Sequence, residues 1–105
     1  MKKYGVGEKV WGMLHATWAS FPQVKRAILY GSRARGDFHE GSDIDIAIDG
    51  PSMTSSEFAK VWNAIDDLPI IYTLDIIHLQ STTNPSLLNA VNQDGKVVYS
   101  RAPNR

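Results

Sequence analysis

The chain has 105 residues, no net charge and no cysteine. Its length suits one hydrophobic core, so we expect residues 1–105 to form a single domain, with residues 1–6 and 100–105 flexible. The neutral charge balance argues against strong non-specific nucleic-acid binding, which needs clustered and uncompensated Lys and Arg. The lack of cysteine excludes disulfides, thiolate zinc sites and thiol nucleophiles. Neither a signal peptide nor a membrane-spanning segment is visible, and we expect a cytoplasmic protein.

Hydrophobic spacing predicts alternating helices and strands. Val10, Leu14 and Trp18 share one helical face, and Pro22 closes that helix. Strict alternation of Ile with polar or small residues over 43–49 is typical of a strand with one buried face. In chain order, the predicted elements are a helix over about residues 7–20, a strand over 27–30, a short helix over 32–35, a strand over 43–49, a helix capped by Ser55 or Ser56, a strand over 70–79, a helix from 84 to 95 and an edge strand over 96–99.

This element order predicts an α/β (α+β) fold, in which helices pack mainly on one face of a mixed β-sheet. The other face of the sheet is expected to stay partly open. The pattern alone does not set the strand directions. All three tryptophans, Trp11, Trp18 and Trp62, fall near apolar helical faces and are expected in the core rather than on a base-stacking surface.

The strongest functional signal is the stretch GSRARGDFHEGSDIDIAI, residues 31–48. A Gly-Ser turn follows an apolar run and, after ten further residues, an Asp-x-Asp pair heads the second long strand. Asp43 and Asp45 point to the same side of that strand, and two carboxylates so placed repel each other in a partly buried setting. A divalent cation removes that repulsion. Carboxylate ligands without a nearby thiolate or imidazole favour Mg²⁺.

Asp75 is a third candidate ligand, because it lies between Leu74 and Ile76 in an otherwise apolar predicted strand. If that strand neighbours the second one, Asp43, Asp45 and Asp75 can form a three-carboxylate cluster. Such a cluster can hold two metal ions roughly 3.5–4 Å apart, which is the geometry of in-line phosphoryl displacement. These three aspartates are therefore the predicted catalytic and metal-binding residues, and two Mg²⁺ ions are the expected cofactor.

The Gly-Ser turn is suited to hold phosphate. Gly31 lets phosphate oxygens approach the backbone, while Ser32 and the N–H groups that open the next helix offer hydrogen-bond donors. Arg33 or Arg35 on that first turn can meet a phosphate or a pyrophosphate leaving group. Gly31, Ser32 and Arg33 are the predicted nucleotide-binding residues. The expected reaction moves a nucleoside monophosphate from a nucleoside triphosphate to an acceptor hydroxyl, whose proton is removed by Asp75 or by a hydroxide-like acceptor on the first metal.

Several of these residues have a plainer interpretation. Arg33 and Arg35 can instead be solvated helix residues. His39 can touch a substrate from its loop, but an isolated histidine is weak evidence for such a role. Asp49 is better interpreted as a turn residue before Gly50 than as a ligand.

Gly31-Ser32, Asp43-Ile44-Asp45 and Asp75 together resemble the motif of the nucleotidyltransferase superfamily related to DNA polymerase beta. The small size and the closing sequence DGKVVY resemble the minimal nucleotidyltransferase (MNT) branch. The resemblance covers residues 24–99. It implies a palm-like mixed sheet with Mg²⁺ on the three aspartates.

Many minimal members are antitoxins of HEPN/MNT toxin–antitoxin pairs, so the resemblance implies a HEPN-type ribonuclease toxin as partner. It also implies an adenylyltransferase that moves AMP from ATP to a tyrosine of that toxin. A domain this small cannot cover both a base and an acceptor, so we expect a hetero-oligomer in which the partner supplies the missing walls. Two alternatives stay open: a non-catalytic antitoxin that inhibits by contact, and a transferase acting on a small molecule such as an aminoglycoside.

Overall fold

The structure, a computed structural model, describes residues 1–101. Its helices are α1 (Glu8–Ala19), α2 (Ser32–Arg35), α3 (Ser55–Asp66) and α4 (Pro85–Asp94), with a 3-10 helix over Leu79–Ser81. Its strands are β1 (Lys2–Lys3), β2 (Val6–Gly7), β3 (Arg26–Tyr30), β4 (Ile44–Asp49), β5 (Leu74–His78) and β6 (Lys96–Ser100). No helix among these residues has the length and apolar character needed to cross a membrane. The part of the predicted flexible end at 102–105 lies outside the described residues.

The central sheet has the strand order β5-β4-β3-β6 and is mixed, as the sequence predicts. β3 runs antiparallel to both β4 and β6, whereas β4 and β5 are parallel. The parallel pair requires a crossover connection, which contains α3. As a result, the end of β3 and the starts of β4 and β5 meet at one edge of the sheet.

Local capping explains where two of the helices begin. The Thr54 hydroxyl accepts a hydrogen bond from Glu57 N–H at 3.1 Å, and the Glu57 carboxylate accepts one from Thr54 N–H at 2.8 Å. This capping box makes Thr54 the N-cap of α3, one residue before Ser55 and Ser56, which the sequence predicts as caps. At α4 the Asn84 side chain accepts from Ser86 N–H at 2.9 Å, and Pro85 takes the first helical position as predicted.

The sheet has a fully covered face and a partly open face. Helices α1 and α3 pack on the first face, where Leu14, Trp18, Ile46 and Val61 are completely buried. On the second face α4 contributes Val91, which packs with a smaller apolar cluster. The predicted arrangement, with helices mainly on one face, is confirmed. The second face carries the alternating aspartates of β4.

Three regions differ from the sequence-based expectations. The strand predicted over 70–79 is shorter, because residues 70–73 form no strand and Leu79 begins the 3-10 helix. Residues 1–6, for which the sequence predicts no element, contribute to a hairpin in which Lys2–Lys3 pairs with Val6–Gly7. Strands of two residues are too short to leave a periodic signal. The expectation that Trp62 lies in the core is wrong, because its side chain is 43% exposed. Its neighbour Val61 takes the inward position, and adjacent residues of a helix face different directions.

Candidate active site

A sharp turn at Gly31 ends β3 and places the backbone against a carboxylate. Gly31 has φ +78° and ψ −159°, a conformation that is readily available only to glycine. A Cβ atom at this position would collide with Asp45 Oδ2 and would lie 3.3 Å from Asp45 Cγ. The missing side chain therefore lets the chain pass directly beside Asp45.

Asp45 and Asp75 occupy the same register position on the neighbouring parallel strands β4 and β5. Adjacent strands lie roughly 4.8 Å apart, so the two side chains stand next to each other. Asp45 is half-buried and Asp75 is exposed. The cross-strand neighbour of Asp45 on β3 is Tyr30. The structure thus brings together the second carboxylate of the Asp-x-Asp pair, the third predicted carboxylate and the Gly-Ser turn.

The negative charges at this sheet edge perturb two side chains. Burial, followed by the charges of Asp75 and Asp43, raises the pKa of Asp45 to about 6, and Arg35 acts in the opposite direction. Burial, followed by the charges of Asp75 and Asp45, raises the pKa of Tyr30 to about 12. The ionised form of Asp45 is therefore less stable than that of a solvent-exposed aspartate, and a nearby positive charge would stabilise it.

The predicted three-carboxylate chelate is only partly assembled. Asp43 is exposed and its charge acts on Asp45, but it precedes the β4–β5 ladder, which begins at Ile44. Within residues 1–101, no group of three or more His, Cys, Asp or Glu side chains is placed to hold a metal ion. Asp45 and Asp75 form the close pair, while the loop position of Asp43 leaves it outside their register.

The chemistry of this pair suits a hard divalent cation. Mg²⁺ commonly uses one or two carboxylates and completes its shell with water and substrate phosphate. A cation between Asp45 and Asp75 would also remove the repulsion that contributes to the raised pKa of Asp45. Binding of Mg²⁺ by this pair is a proposal that rests on donor chemistry.

Helix α2 carries two more polar residues of the motif. Ser32 is half-buried at the first position of the helix, directly after Gly31. Arg35 is exposed, with Nε 3.2 Å from Asp37 Oδ2 and Nη1 3.7 Å from Asp94 Oδ2. The charge of Arg35 also offsets part of the rise in the pKa of Asp45. Arg35 is therefore the motif arginine that is accessible to an anion at this edge.

Arg33 is placed differently from either sequence-based expectation. It is 1% exposed, so the interpretation as a solvated helix residue is wrong. Its guanidinium donates four hydrogen bonds, all of them to backbone carbonyls. A direct contact with phosphate would require it to leave these partners. The helical turn directs Arg33 into the interior and Arg35 outward.

The remaining polar candidates are His39 and Asp49. His39 is exposed in the loop before β4, and its backbone N–H donates to Ser42 Oγ at 3.0 Å. Asp49 is the last residue of β4 rather than a turn residue. It is 5% exposed and accepts hydrogen bonds from Arg26 Nε at 2.8 Å and Gln80 Nε2 at 2.6 Å. Asp49 is therefore a structural carboxylate, in agreement with its exclusion as a ligand.

Sequence reasoning did not identify Tyr30 as part of the site. Tyr30 is 4% exposed and packs in the small cluster with Ile28, Ala47 and Val91. The sequence feature that could have identified Tyr30 is its position immediately before Gly31. Its position opposite Asp45 follows from the antiparallel direction of β3 and β4, which the hydrophobic pattern does not reveal.

The chain matches the family model described as Polymerase beta, Nucleotidyltransferase over residues 13–104. The matched stretch includes Gly31, Asp45 and Asp75. The protein therefore belongs to the polymerase beta nucleotidyltransferase family. Among the curated proteins, none matches the chain closely enough to be accepted as a relative.

Three solved structures give the fold comparison. A chain of a toxin–antitoxin complex with AMP-PNP is 23% identical, with 87% of this chain and 73% of that chain covered and a TM-score of 0.62. A chain of the MntA–HepT toxin–antitoxin complex is 19% identical, with coverages of 90% and 74% and a TM-score of 0.59. A chain of a complex between tri-AMPylated Shewanella oneidensis HEPN toxin and MNT antitoxin is 21% identical, with coverages of 89% and 68% and a TM-score of 0.51. At these identities the likeness establishes the nucleotidyltransferase fold.

Proposed function

We propose that this protein is an antitoxin that transfers AMP from ATP to a hydroxyl group of a HEPN-type toxin. The family match supports a nucleotidyltransferase. The fold likeness to a chain from a complex with AMP-PNP supports an adenine nucleotide as donor. The fold likeness to a chain from a complex that contains a tri-AMPylated HEPN toxin supports both the partner and the group transferred.

One observation of this chain carries the proposal. The backbone at Gly31 passes directly beside the carboxylate of Asp45, and Asp75 stands next to Asp45 on the adjoining strand. Phosphate oxygens need close access to backbone N–H groups, and a glycine turn before a helix supplies it. A magnesium-bound phosphoryl group needs oxygen ligands, and the aspartate pair supplies those.

In the proposed reaction, the acceptor oxygen forms a bond to the α-phosphorus of ATP. The bond from the α-phosphorus to the bridging oxygen breaks, and pyrophosphate leaves with that oxygen. The proton of the acceptor hydroxyl passes to the carboxylate of Asp75, which is exposed and can be reached from a partner. Gly31 and Ser32 hold the β- and γ-phosphates, and Arg35 attracts the charge of the leaving pyrophosphate.

Mg²⁺ bound by Asp45 and Asp75, with Asp43 nearby, would neutralise phosphate charge and polarise the α-phosphoryl group. The chain itself contributes mainly position and charge. Asp45 is held in place on two sides by the glycine turn and the β5 strand. Such preorganised charge and orientation account for most of the rate gain in phosphoryl transfer.

The transfer assay uses ATP labelled either at the α- or at the γ-phosphate. The full chain is incubated with Mg²⁺ and the protein encoded by the neighbouring reading frame. We expect the α-label, and not the γ-label, to move onto that protein, with release of pyrophosphate. Transfer of the γ-label instead would indicate a kinase reaction. No transfer of either label, under conditions where another adenylyltransferase works, would contradict the proposal.

A second candidate function is inhibition of the toxin by contact alone. It is favoured by the finding that residues 1–101 contain no ready group of three metal-binding side chains. The double variant Asp43→Asn, Asp45→Asn separates the two functions in cells. Loss of protection at normal abundance of the variant supports transfer, whereas full protection supports contact.

A further inference from the structure

The buried guanidinium of Arg33 holds two segments that are distant in sequence. Nε and Nη2 both donate to the Ser42 carbonyl, at 3.1 and 2.9 Å, and Nη2 also donates to the Glu40 carbonyl at 3.3 Å. On the other side, Nη1 donates to the Tyr4 carbonyl at 3.0 Å. The planar fork thus joins the loop before β4 to the turn of the N-terminal hairpin.

The charge of Arg33 is balanced without an acidic partner. Within residues 1–101, no carboxylate lies at ion-pair distance from its guanidinium. Instead its Cζ atom lies 4.9 Å from the ring centroid of Phe38 and 5.1 Å from that of Tyr72. A desolvated cation over two aromatic faces is stabilised by their negative π-surfaces. A lysine has neither the flat shape nor the number of donors to replace it.

The N-terminal hairpin is packed tightly against this guanidinium. Its turn uses positive φ angles at Tyr4, +55°, and Gly5, +75°. A Cβ on Gly5 would come within 2.7 Å of both Arg33 Nη1 and Phe38 Cζ. The Tyr72 hydroxyl donates to the Gly5 carbonyl at 3.3 Å. The hairpin, the loop before β4 and the segment before β5 therefore meet around one side chain.

Two of these segments lead directly into the candidate site. Ser42, whose carbonyl accepts two of the hydrogen bonds, is followed by Asp43. Thr73 follows Tyr72, whose ring covers the guanidinium. The Thr73 carbonyl accepts a hydrogen bond from Ile44 N–H at 2.9 Å. Asp75 follows two residues later. Arg33 therefore contacts both segments, the one that leads into β4 and the one that leads into β5.

We propose that Arg33 is a positioning residue, which fixes the segments before β4 and β5 so that Asp43 and Asp75 approach Asp45. The N-terminal hairpin braces this arrangement from outside the stretch that matches the family model, which begins at residue 13. The consequence for nucleotide binding rests on the proposed function. The positioning itself does not.

The experiment compares Arg33→Met with a matched control, Arg101→Met. Arg101 also donates four hydrogen bonds to backbone carbonyls, but they hold the end of α1 and Val24, away from the site. Two quantities are measured on the full chain, at a temperature at which circular dichroism shows both variants to be folded. These are amide hydrogen exchange, and the Kd of ATP with Mg²⁺. Phe38→Leu is a milder variant for the case that Arg33→Met does not fold.

For Arg33→Met we expect faster exchange at residues 42–45 and 73–75 and an affinity for ATP reduced by about tenfold or more. For Arg101→Met we expect faster exchange around residues 18–24 and little change in affinity. Phe38→Leu should give a weaker form of the Arg33 pattern. Unchanged exchange at 42–45 and 73–75 in a folded Arg33→Met or Phe38→Leu variant, or the same pattern in Arg101→Met, would overturn the inference. If the wild-type chain binds no ATP even with its cognate partner present, the proposed function fails, and the exchange result still decides the positioning role.

Discussion

Asp45 and Asp75 are direct partners in the parallel ladder between β4 and β5, so two carboxylates stand at one register position at the edge of the sheet. Asp45 is half-buried, and its pKa is raised to about 6 by burial and by the charges of Asp75 and Asp43. The pair therefore destabilises the folded state, and a bound cation would remove this effect.

Asp45→Asn should stabilise the protein above pH 6. Because the folded pKa of about 6 lies above the ordinary aspartate value of 3.8, the folded state binds the proton more tightly than the unfolded state. This contribution to stability is complete below pH 4 and is lost as the pH rises through about 6. After allowance for solvent screening, we expect a gain of about 1 kcal/mol for the variant at pH 8.

Urea denaturation of wild type and Asp45→Asn at pH 4 and pH 8 measures this effect. The quantity compared is the difference in free energy of unfolding between Asp45→Asn and wild type, at pH 8 relative to pH 4. Asp66→Asn, an exposed change on α3, serves as the control and should show no comparable pH-dependent gain. A variant whose relative stability falls between pH 4 and pH 8 would contradict the electrostatic description of the site.

Mg²⁺ should reverse this stability difference. If the ion binds between Asp45 and Asp75, it stabilises the folded wild-type chain by mass action. We expect the melting temperature of the wild type at pH 8 to rise with Mg²⁺ concentration and that of Asp45→Asn to stay nearly constant. An equal rise in both proteins would indicate general salt screening rather than a site.

Gly31→Ala and Gly36→Ala separate backbone strain from access to the site. Both glycines have positive φ, +78° and +95°, but only at Gly31 would a Cβ collide with Asp45. We expect each variant to lose about 1–3 kcal/mol of folding free energy, with the larger loss at Gly31. Gly31→Ala should also abolish ATP binding, while Gly36→Ala should keep it.

Chemical denaturation and titration with ATP test this pair of variants. Each is compared with wild type under conditions in which both are folded. If Gly36→Ala loses nucleotide affinity as completely as Gly31→Ala, the close approach of the Gly31 backbone to the Asp45 carboxylate is not the cause of nucleotide binding.

The hydrophobic pattern was sufficient for the main helices and strands, because their apolar stripes are long enough to be read without tertiary information. The mixed sheet was also correctly predicted. Strand direction was not available from the pattern, and the opposition of Tyr30 and Asp45 depends on it. The β1–β2 hairpin was missed because its strands have two residues each. The hydrogen bonds that its turn accepts come from Arg33 and Tyr72, which lie far along the chain.

The placement of Arg33 shows where residue type and spacing stop being informative. Arg33 and Arg35 lie on the same short turn and have the same chemistry. One is buried under carbonyl groups and the other is exposed beside the aspartates. The difference arises from the loop and hairpin that close over Arg33. These are tertiary contacts, so a sequence motif cannot report them.

Asp49→Ala should destabilise the fold without affecting the site. The variant removes the acceptor of hydrogen bonds from Arg26 and Gln80 at a position that is 5% exposed. We expect a loss of about 2 kcal/mol in the free energy of unfolding. Asp49 lies at the other end of β4 from Asp45, roughly 13 Å away along the strand, so ATP affinity should be unchanged. A large loss of affinity in the folded variant would show that the second face acts as one unit.

The most direct measurement of the central claim is a calorimetric titration of ATP, with and without Mg²⁺, into wild type, Asp45→Asn, Asp75→Asn and the surface control Asp66→Asn, each with the cognate partner present. If the register pair holds a magnesium-bound triphosphate beside Gly31, binding depends on Mg²⁺ in the wild type and the control, and each of the two site variants loses about tenfold or more in affinity. Equal affinity in all four proteins, or binding that is independent of Mg²⁺, would contradict the account.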